Sequence, residues 1–338
     1  MSAIEEVGSQ APAVEAVPKR AMTLSSGTAF VVVLLLLVVP LFVKNFIIFQ
    51  MTMLLIYGLA VLALNILTGG SGQFSLGQSA FYAVGAYTSA ILMEQYNINY
   101  ALTLPVAGVV CFGFGFLFVQ PALRLSGVYL ALATFALATA MPQILKLGFF
   151  EHWTGGVQGL VVTKPDAPFG LPMSQDMWLY YFTLAITIAI YIFSVNLLRS
   201  RSGRAFMAIR DNEIAASAMG IDVATYKTLA FGVSAGITGV AGGLGAIAVQ
   251  FVAPDSYTIV LAISLFLGMV VGGVGWLPGS FIGAAFIIFV PNIAEGISKG
   301  LSGAVFGVLL FLIIFLVPHG ARQVAMVAQQ LLSKVRKT

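Results

Sequence analysis

Charge is what this sequence has least of. Asp, Glu, Lys and Arg make up 8% of its 338 residues, against roughly 25% in a typical globular domain. A water-facing surface cannot be built from so few charges. A soluble enzyme, a nucleic-acid binder and a disordered chain are excluded on that ground alone. Cysteine occurs once, as Cys111 within an apolar run, so no intrachain disulfide, thiolate cluster or CxxC pair can form. His152 and His319 are the two histidines, and so distant a pair without cysteines makes no metal first shell. No Gly-Lys pair occurs, which removes the phosphate loop GxxxxGK-(S/T). No nucleophile stands beside a base in a pattern that suggests covalent catalysis.

Apolar residues are abundant. They form 59% of the chain, and the mean hydropathy is +1.01. A helix crossing the hydrocarbon core needs about 20 largely apolar residues. Ten candidate spans follow, at 27–43, 46–67, 78–94, 101–119, 127–147, 177–198, 228–250, 257–273, 277–293 and 301–317. The first is no cleavable signal peptide, because the polar stretch before it holds Glu5, Glu6 and Glu15 and no small-residue cleavage site follows. A transmembrane barrel would alternate in polarity over stretches of about ten residues; Phe30–Val39 and Ala304–Val317 do not. The expected fold is an all-α polytopic membrane protein of about ten spans, with lipid around its apolar faces.

Basic residues orient it. With a cytoplasmic N-terminus, ten spans return the C-terminus to the cytoplasm. Lys19, Arg20, Arg124, Arg199, Arg201, Arg204, Arg210, Lys227, Arg322, Lys334, Arg336 and Lys337 then lie inside, twelve of the sixteen Lys and Arg residues. Lys44, Lys146, Lys164 and Lys299 lie outside. The twelve acids split evenly, as expected of a rule that follows Lys and Arg. Residues 1–24 read as a poorly ordered cytoplasmic tail, 25–320 as the membrane domain and 321–338 as a basic cytoplasmic tail. Two connections exceed turn length: 148–176, outside, rich in Gly and Pro, and 199–227, inside, the most charged stretch of the chain.

Within that inner loop, Arg204 through Met219 lacks proline and glycine. Phe206, Ile209, Glu213, Ala216 and Gly220 recur at helical spacing on one face, and Gly220 would end the helix as a left-handed cap. Ala215, Ala216 and Ala218 make it slender enough to dock in a groove of another protein. The other reading is a solvated loop whose arginines only enforce topology. Energy supply bears on the choice. Proton-coupled carriers place Asp, Glu or His within their spans, whereas Glu94, Asp255 and Glu295 sit at predicted span ends, and His152 and His319 lie at or beyond them. A secondary carrier, a channel and a structural membrane protein remain as competing classes, but none of them needs a docking helix.

The loop resembles the coupling loop of ATP-binding-cassette importer permeases, where Glu-Ala-Ala is followed after three residues by Gly. Here Ile214 intervenes between Glu213 and Ala215-Ala216, and Gly220 is in place. The longer string GRAFMAIRDNEIAASAMGIDVATYK is similar to that of permeases of the branched-chain (hydrophobic) amino acid uptake family. LNILTGGSGQFSLGQSAFYAVGAYTSAIL (Leu64–Leu92), WTGGVQGL (Trp153–Leu160), VAGGLGAI (Val240–Ile247) and GGVGWLPGSFIGAAF (Gly272–Phe286) fit as well. The resemblance covers roughly 46–317 and is nearer the longer, LivM-like type of permease. It implies a bacterial inner-membrane subunit that is no enzyme and binds no cofactor of its own. ATP and Mg²⁺ would sit on two partner ATPase subunits, beside a second, related permease and a periplasmic solute-binding protein. It also implies ATPase coupling through Arg204, Arg210, Asp211, Glu213, Ala215, Ala216 and Gly220. Thr154, Gly155, Gly156 and Gly159 would form the external loop motif. Branched-chain or other hydrophobic amino acids are the first expectation for cargo; urea, short amides and aromatic acids are carried by similar systems.

Leu64–Tyr87 is the least hydrocarbon-like part of the membrane domain. Asn65, Gln73, Ser75, Gln78 and Tyr82, among glycines at 69, 70, 72 and 77, could line a translocation path, since polar groups and broken backbone are tolerated at membrane depth against a wet cavity or within protein. The alternative is packing, with glycines allowing close approach and Ser and Gln bonding across helices. Gly272, Gly273, Gly275 and Gly279 repeat the pattern of Gly69–Phe74 loosely. Gly236, Gly239, Gly242, Gly243 and Gly245 read as helix packing, and Trp153 and Trp178 as interfacial anchors.

Overall fold

A computed structural model describes residues 26–122, 127–168, 173–297 and 307. Among them are twelve α-helices: α1 (Ser26–Val38), α2 (Asn45–Asn65), α3 (Gln78–Glu94), α4 (Tyr100–Ala122), α5 (Val128–Leu145), α6 (Glu151–Thr154), α7 (Gln175–Arg199), α8 (Arg201–Asp211), α9 (Glu213–Ala218), α10 (Val223–Val249), α11 (Ile259–Gly272) and α12 (Gly279–Ile297). Two strands, β1 (Leu160–Val161) and β2 (Phe251–Val252), pair antiparallel with Leu160 opposite Val252. Long apolar runs form helices here because every backbone group finds its partner within the same segment. Among the described residues, six segments are long and apolar enough to cross a membrane: Asn45–Gly70, α4, α5, α7, α10 and Pro254–Gly272. At 13 residues α1 is shorter, and α3 has 17 residues with serines, tyrosines and a glutamine among them. All of the expected span 301–317 except residue 307, and both expected tails, lie outside the described residues.

The long helix α10 is the centre of the packing. Its residues from Phe231 to Ala248 are almost all buried, with α3, α4 and α2 around it. α3 runs beside it in the same direction, as successive neighbours show: Gln78 with Ser234, Gly85 with Gly239, and Ser89 with Gly243. Contact is backbone to backbone. A Cβ on Gly85 would collide with the carbonyl of Gly239, and one on Gly242 with the carbonyl of Tyr82. On the other flank Gly239 lies against Cys111 of α4, and the Cys111 thiol donates to Phe81 O at 3.4 Å. Phe81 fills the remaining space, edge-on to Phe114 and Phe231. Lipid is as apolar as Leu, so helices associate in a membrane through such close van der Waals contact rather than hydrophobic exclusion.

The two ends of the bundle differ. At one end α3, α5, the chain after β1 and the chain after α10 are tied together by the pairing of β1 with β2, by a Lys146–Asp255 ion pair and by Glu94 Oε1, which accepts from Thr163 N and Oγ1. Gln95 reaches the carbonyls of His152 and Trp153 at the same end. The 25 residues of α7, about 37 Å of helix, carry the chain from there to α8 and α9 at the other.

The packing makes a direct prediction. Gly242→Val forces α3 and α10 apart, and overpacking of this kind costs about 1–3 kcal/mol. A Cβ on Gly113 would meet no atom within 4 Å, so that position should accept Ala. Thermal unfolding of the purified protein in detergent should show a clearly lowered midpoint for Gly242→Val and an unchanged one for Gly113→Ala. Equal midpoints would contradict the backbone contact.

Candidate functional site

Loop 199–227 is built from two helices, not the single one that its spacing suggests. Ser200 starts α8, its Oγ accepting from Gly203 N. α8 ends where Asn212 turns to extended backbone, and the Asn212 side chain accepts from Ala215 N at 3.0 Å to start α9. Asn is among the best N-caps, because its short side chain satisfies an amide the helix leaves unpaired; here that preference breaks the expected helix in two. The break redistributes the expected face. Phe206, Ile209 and Ala216 are buried, whereas Glu213 turns outward and its carboxylate meets Lys227 Nζ at 2.6 Å.

The expected cap is present. Gly220 has φ +82°, its N–H donates to Ser217 O, and Ile221 N–H donates to Ala216 O. That pair is a Schellman closure, which needs a left-handed residue at this position. The short α9 therefore projects with a defined end. Ala215 is exposed beside it, and Ile214 and Met219 are 83% and 85% exposed. Asp222 then caps α10, accepting from Thr225 Oγ1 at 2.6 Å and from Thr225 N at 3.2 Å. Those two hydrogen bonds hold its carboxyl below the usual carboxylate range.

The basic residues of the loop point in different directions. Arg204 donates to Arg199 O, on the exposed side. Arg210 instead reaches into the bundle, where Nη1 donates to Gly69 O at 2.8 Å, while Nε and Nη2 donate to Asp211 Oδ1. Gly69 lies in a five-residue π-turn, Ile66–Gly70, that ends α2; such turns are rare and frequent at functional positions. Beyond it Ser71 Oγ donates to Leu67 O, and Thr68 Oγ1 to Gln73 O. A polar cleft of about 240 Å³ opens between this turn and the loop, its wall including Ser71, Gln73, Arg210, Asp211, Glu213 and Lys227.

Of the five residues expected along a path, only Gln73 reaches that cleft. Its Nε2 donates to Ser71 Oγ and to Lys227 O. Asn65 is clasped by the turn before α12: its Oδ1 accepts from Gly275 N at 2.7 Å, and its Nδ2 donates to Gly273 O, Trp276 O and Ser280 Oγ. Gln78 bridges α3 to α10, donating to Ser234 Oγ and accepting from Thr238 Oγ1. Ser75 is buried and its Oγ accepts from Gly77 N. Tyr82 stacks with Tyr57, tilts against Tyr257 and lies over Gly245. Asn65 and Gln78 thus spend their hydrogen bonds between helices.

The motif WTGGVQGL lies at the far end of the bundle. Thr154 Oγ1 donates to Leu145 O at 2.9 Å and accepts from Gly156 N. Gly155, Gly156 and Gly159 have φ of +69°, +57° and +73°. A side chain on Gly159 would strike Val252 O, so these glycines seat β1 on β2. Trp178, expected as an anchor, donates from Nε1 to Tyr100 OH.

Sequence reasoning missed Asn212, Ile214, Met219 and the partner role of Lys227. Asn212 was legible in principle, since Asn followed by Glu in a first turn is a helix-start signal; the destination of Arg210 was not, because Gly69 is 141 residues away.

Gly220→Val should cost about 1–3 kcal/mol of local backbone strain, whereas Gly220→Asn adopts the left-handed region readily. Hydrogen exchange at the amide of Ile221 should therefore speed up roughly tenfold or more in the valine variant, since 1.4 kcal/mol is a factor of ten. The asparagine variant should stay near the parent. Unchanged exchange in the valine variant would remove the cap.

Comparison with known proteins places this geometry. The family described as "Branched-chain amino acid transport system / permease component" matches residues 46–317. The high-affinity branched-chain amino acid transport system permease protein LivM of Salmonella typhimurium is 35% identical over 247 residues, 66% of this chain and 58% of that protein. LivM of Escherichia coli is 34% identical over 271 residues, 73% of this chain and 63% of its own. A probable branched-chain amino acid transport permease protein LivH of Methanocaldococcus jannaschii is 26% identical over 216 residues, covering 62% and 68% of the two chains. The matched part spans about three fifths of the length of the two LivM proteins. No solved structure matches the chain. The chain belongs to the family of permease components of branched-chain amino acid transport systems.

Proposed function

We propose that this chain is one of two related permeases lining the path of an ATP-driven importer for branched-chain or other hydrophobic amino acids. It crosses a bacterial inner membrane about ten times, with both termini in the cytoplasm. α9 is the element that seats in a cytoplasmic ATPase subunit. A pair of such subunits holds ATP and Mg²⁺, and their closure on ATP rocks the spans between inward and outward states. The loop at 148–176 meets a loaded periplasmic solute-binding protein, which sets most of the cargo specificity.

One observation carries the coupling part of this reading. Ile214 and Met219 stand almost fully exposed on a six-residue helix and its cap, at the end of the bundle where basic residues concentrate. The capped turn at Gly220 holds these two apolar side chains in a fixed presentation on one short helix and its cap, where a partner's groove could cover both. Family membership supports the rest, since the related LivM and LivH proteins are transport permeases by name.

Ile214→Arg, Met219→Arg and Glu213→Arg change exposed side chains, so membrane insertion should be unaffected. Uptake of radiolabelled leucine by cells carrying Ile214→Arg combined with Met219→Arg should fall at least tenfold. Normal uptake by that double variant would overturn the assignment of α9.

A further inference from the structure

Two glycine-rich reversals of the chain, 66–77 and 273–279, meet inside the structure, and one arginine from loop 199–227 touches the place where they meet. Gly69 leaves no room for a side chain: a Cβ there would lie 2.5 Å from Gly275 N and 2.6 Å from Asn65 Oδ1. On its other side the carbonyl of Gly69 accepts from Arg210 Nη1 at 2.8 Å. A hydrogen bond from a guanidinium is roughly twice as strong as a neutral one. Arg210 is held in position for it by the fork that Nε and Nη2 make on Asp211.

Asn65 completes the junction. Its Oδ1 accepts from Gly275 N, and its Nδ2 faces three acceptors, Gly273 O, Trp276 O and Ser280 Oγ, at 3.1 to 3.3 Å. An amide nitrogen has two protons, so one is shared. A single buried side chain on α2 therefore ties α2 to the whole turn that leads from α11 into α12. A second tie runs in parallel, from Gln73 Nε2 to Lys227 O, while Lys227 Nζ holds Glu213 at the start of α9.

The one side chain in the contact between the turns is that of Asn65, and its hydrogen bonds to Gly275 N, Gly273 O, Trp276 O and Ser280 Oγ leave it no freedom to absorb a displacement. Packed backbone of this kind shifts as a unit rather than deforming continuously. We infer that Arg210 and Asn65 are positioning residues that make segment 66–77 a rigid link, so that displacement of α8 and α9 is delivered to the turn 273–279 and through it to α11 and α12. This rests on the reading of α9 as the ATPase-docking element and adds to it the route by which that motion enters the membrane domain.

The test uses the intact transporter with the partner subunits of its host, comparing leucine uptake with ATP hydrolysis by the purified complex. Arg210→Gln and Asn65→Ala should each lower uptake at least tenfold while hydrolysis stays within twofold of the parent. The double variant should be no worse than the poorer single one, because both break the same link. Arg210→Lys, which keeps the charge but loses the fork, should recover part of the uptake. Near-normal uptake in Arg210→Gln alongside a dead Ile214→Arg plus Met219→Arg double variant would overturn the link and leave the docking role of α9 standing. Normal uptake in that Ile214→Arg plus Met219→Arg double variant would overturn the docking reading itself. Losses that multiply in the double variant, or hydrolysis that falls in step with uptake, would also overturn the link. Arg210→Gln alters a partly exposed side chain and decides the matter even if Asn65→Ala fails to assemble.

Discussion

Where α10 meets α3 and α4, main chain rests on main chain, and the remaining architecture is arranged around that contact. In a bilayer no gain comes from removing apolar surface from water, so two helices hold together only by dispersion and by hydrogen bonds that lipid cannot supply. Both grow as the axes approach. Gly85, Gly239 and Gly242 remove the side chains that would keep them apart, and the proximity brings Gln78 within reach of Ser234 and Thr238. The glycines and the buried polar groups of this region are two parts of one packing solution.

A core held so closely leaves the irregular and projecting elements to the ends of the bundle. At one end, strand pairing, ion pairs and the left-handed glycines of 155–159 knit several connections into one cap. At the other, a six-residue helix stands out with its apolar side chains uncovered, and Arg210 beneath it reaches the broken end of α2. The two ends thus differ in kind: a firmly knit surface on one side, and a small projecting element on the other.

Six of the expected spans were legible as segments able to cross a membrane because such sequence is apolar over long runs, and their described boundaries stay close to the hydropathy runs. Gly220 was legible too, since a glycine following a helical stretch has one common structural use. The break at Asn212 was not, because the apolar spacing from Phe206 to Ala216 continues across it although the backbone does not. The polar cluster of 65–82 was visible as unusual, but whether its side chains face a path or one another depends on partners 154 to 215 residues away. Spacing along one helix carries no information about those. Asn65 and Gln78 turn to neighbouring helices, Gln73 to a cleft. The exposure of Ile214 and Met219 was hidden for a related reason, because apolar side chains in so apolar a chain attract no notice until their surroundings are known.

Work as one member of an ATP-driven assembly leaves a physical trace in the company this chain keeps. The most direct measurement is purification of the tagged chain from its own membrane in mild detergent, with mass spectrometry of what accompanies it. Such an assembly is expected to yield ATPase subunits and a second, related permease in fixed proportion. A homo-oligomer that survives crosslinking with no ATPase attached would contradict it, and would make α9 an ordinary surface loop.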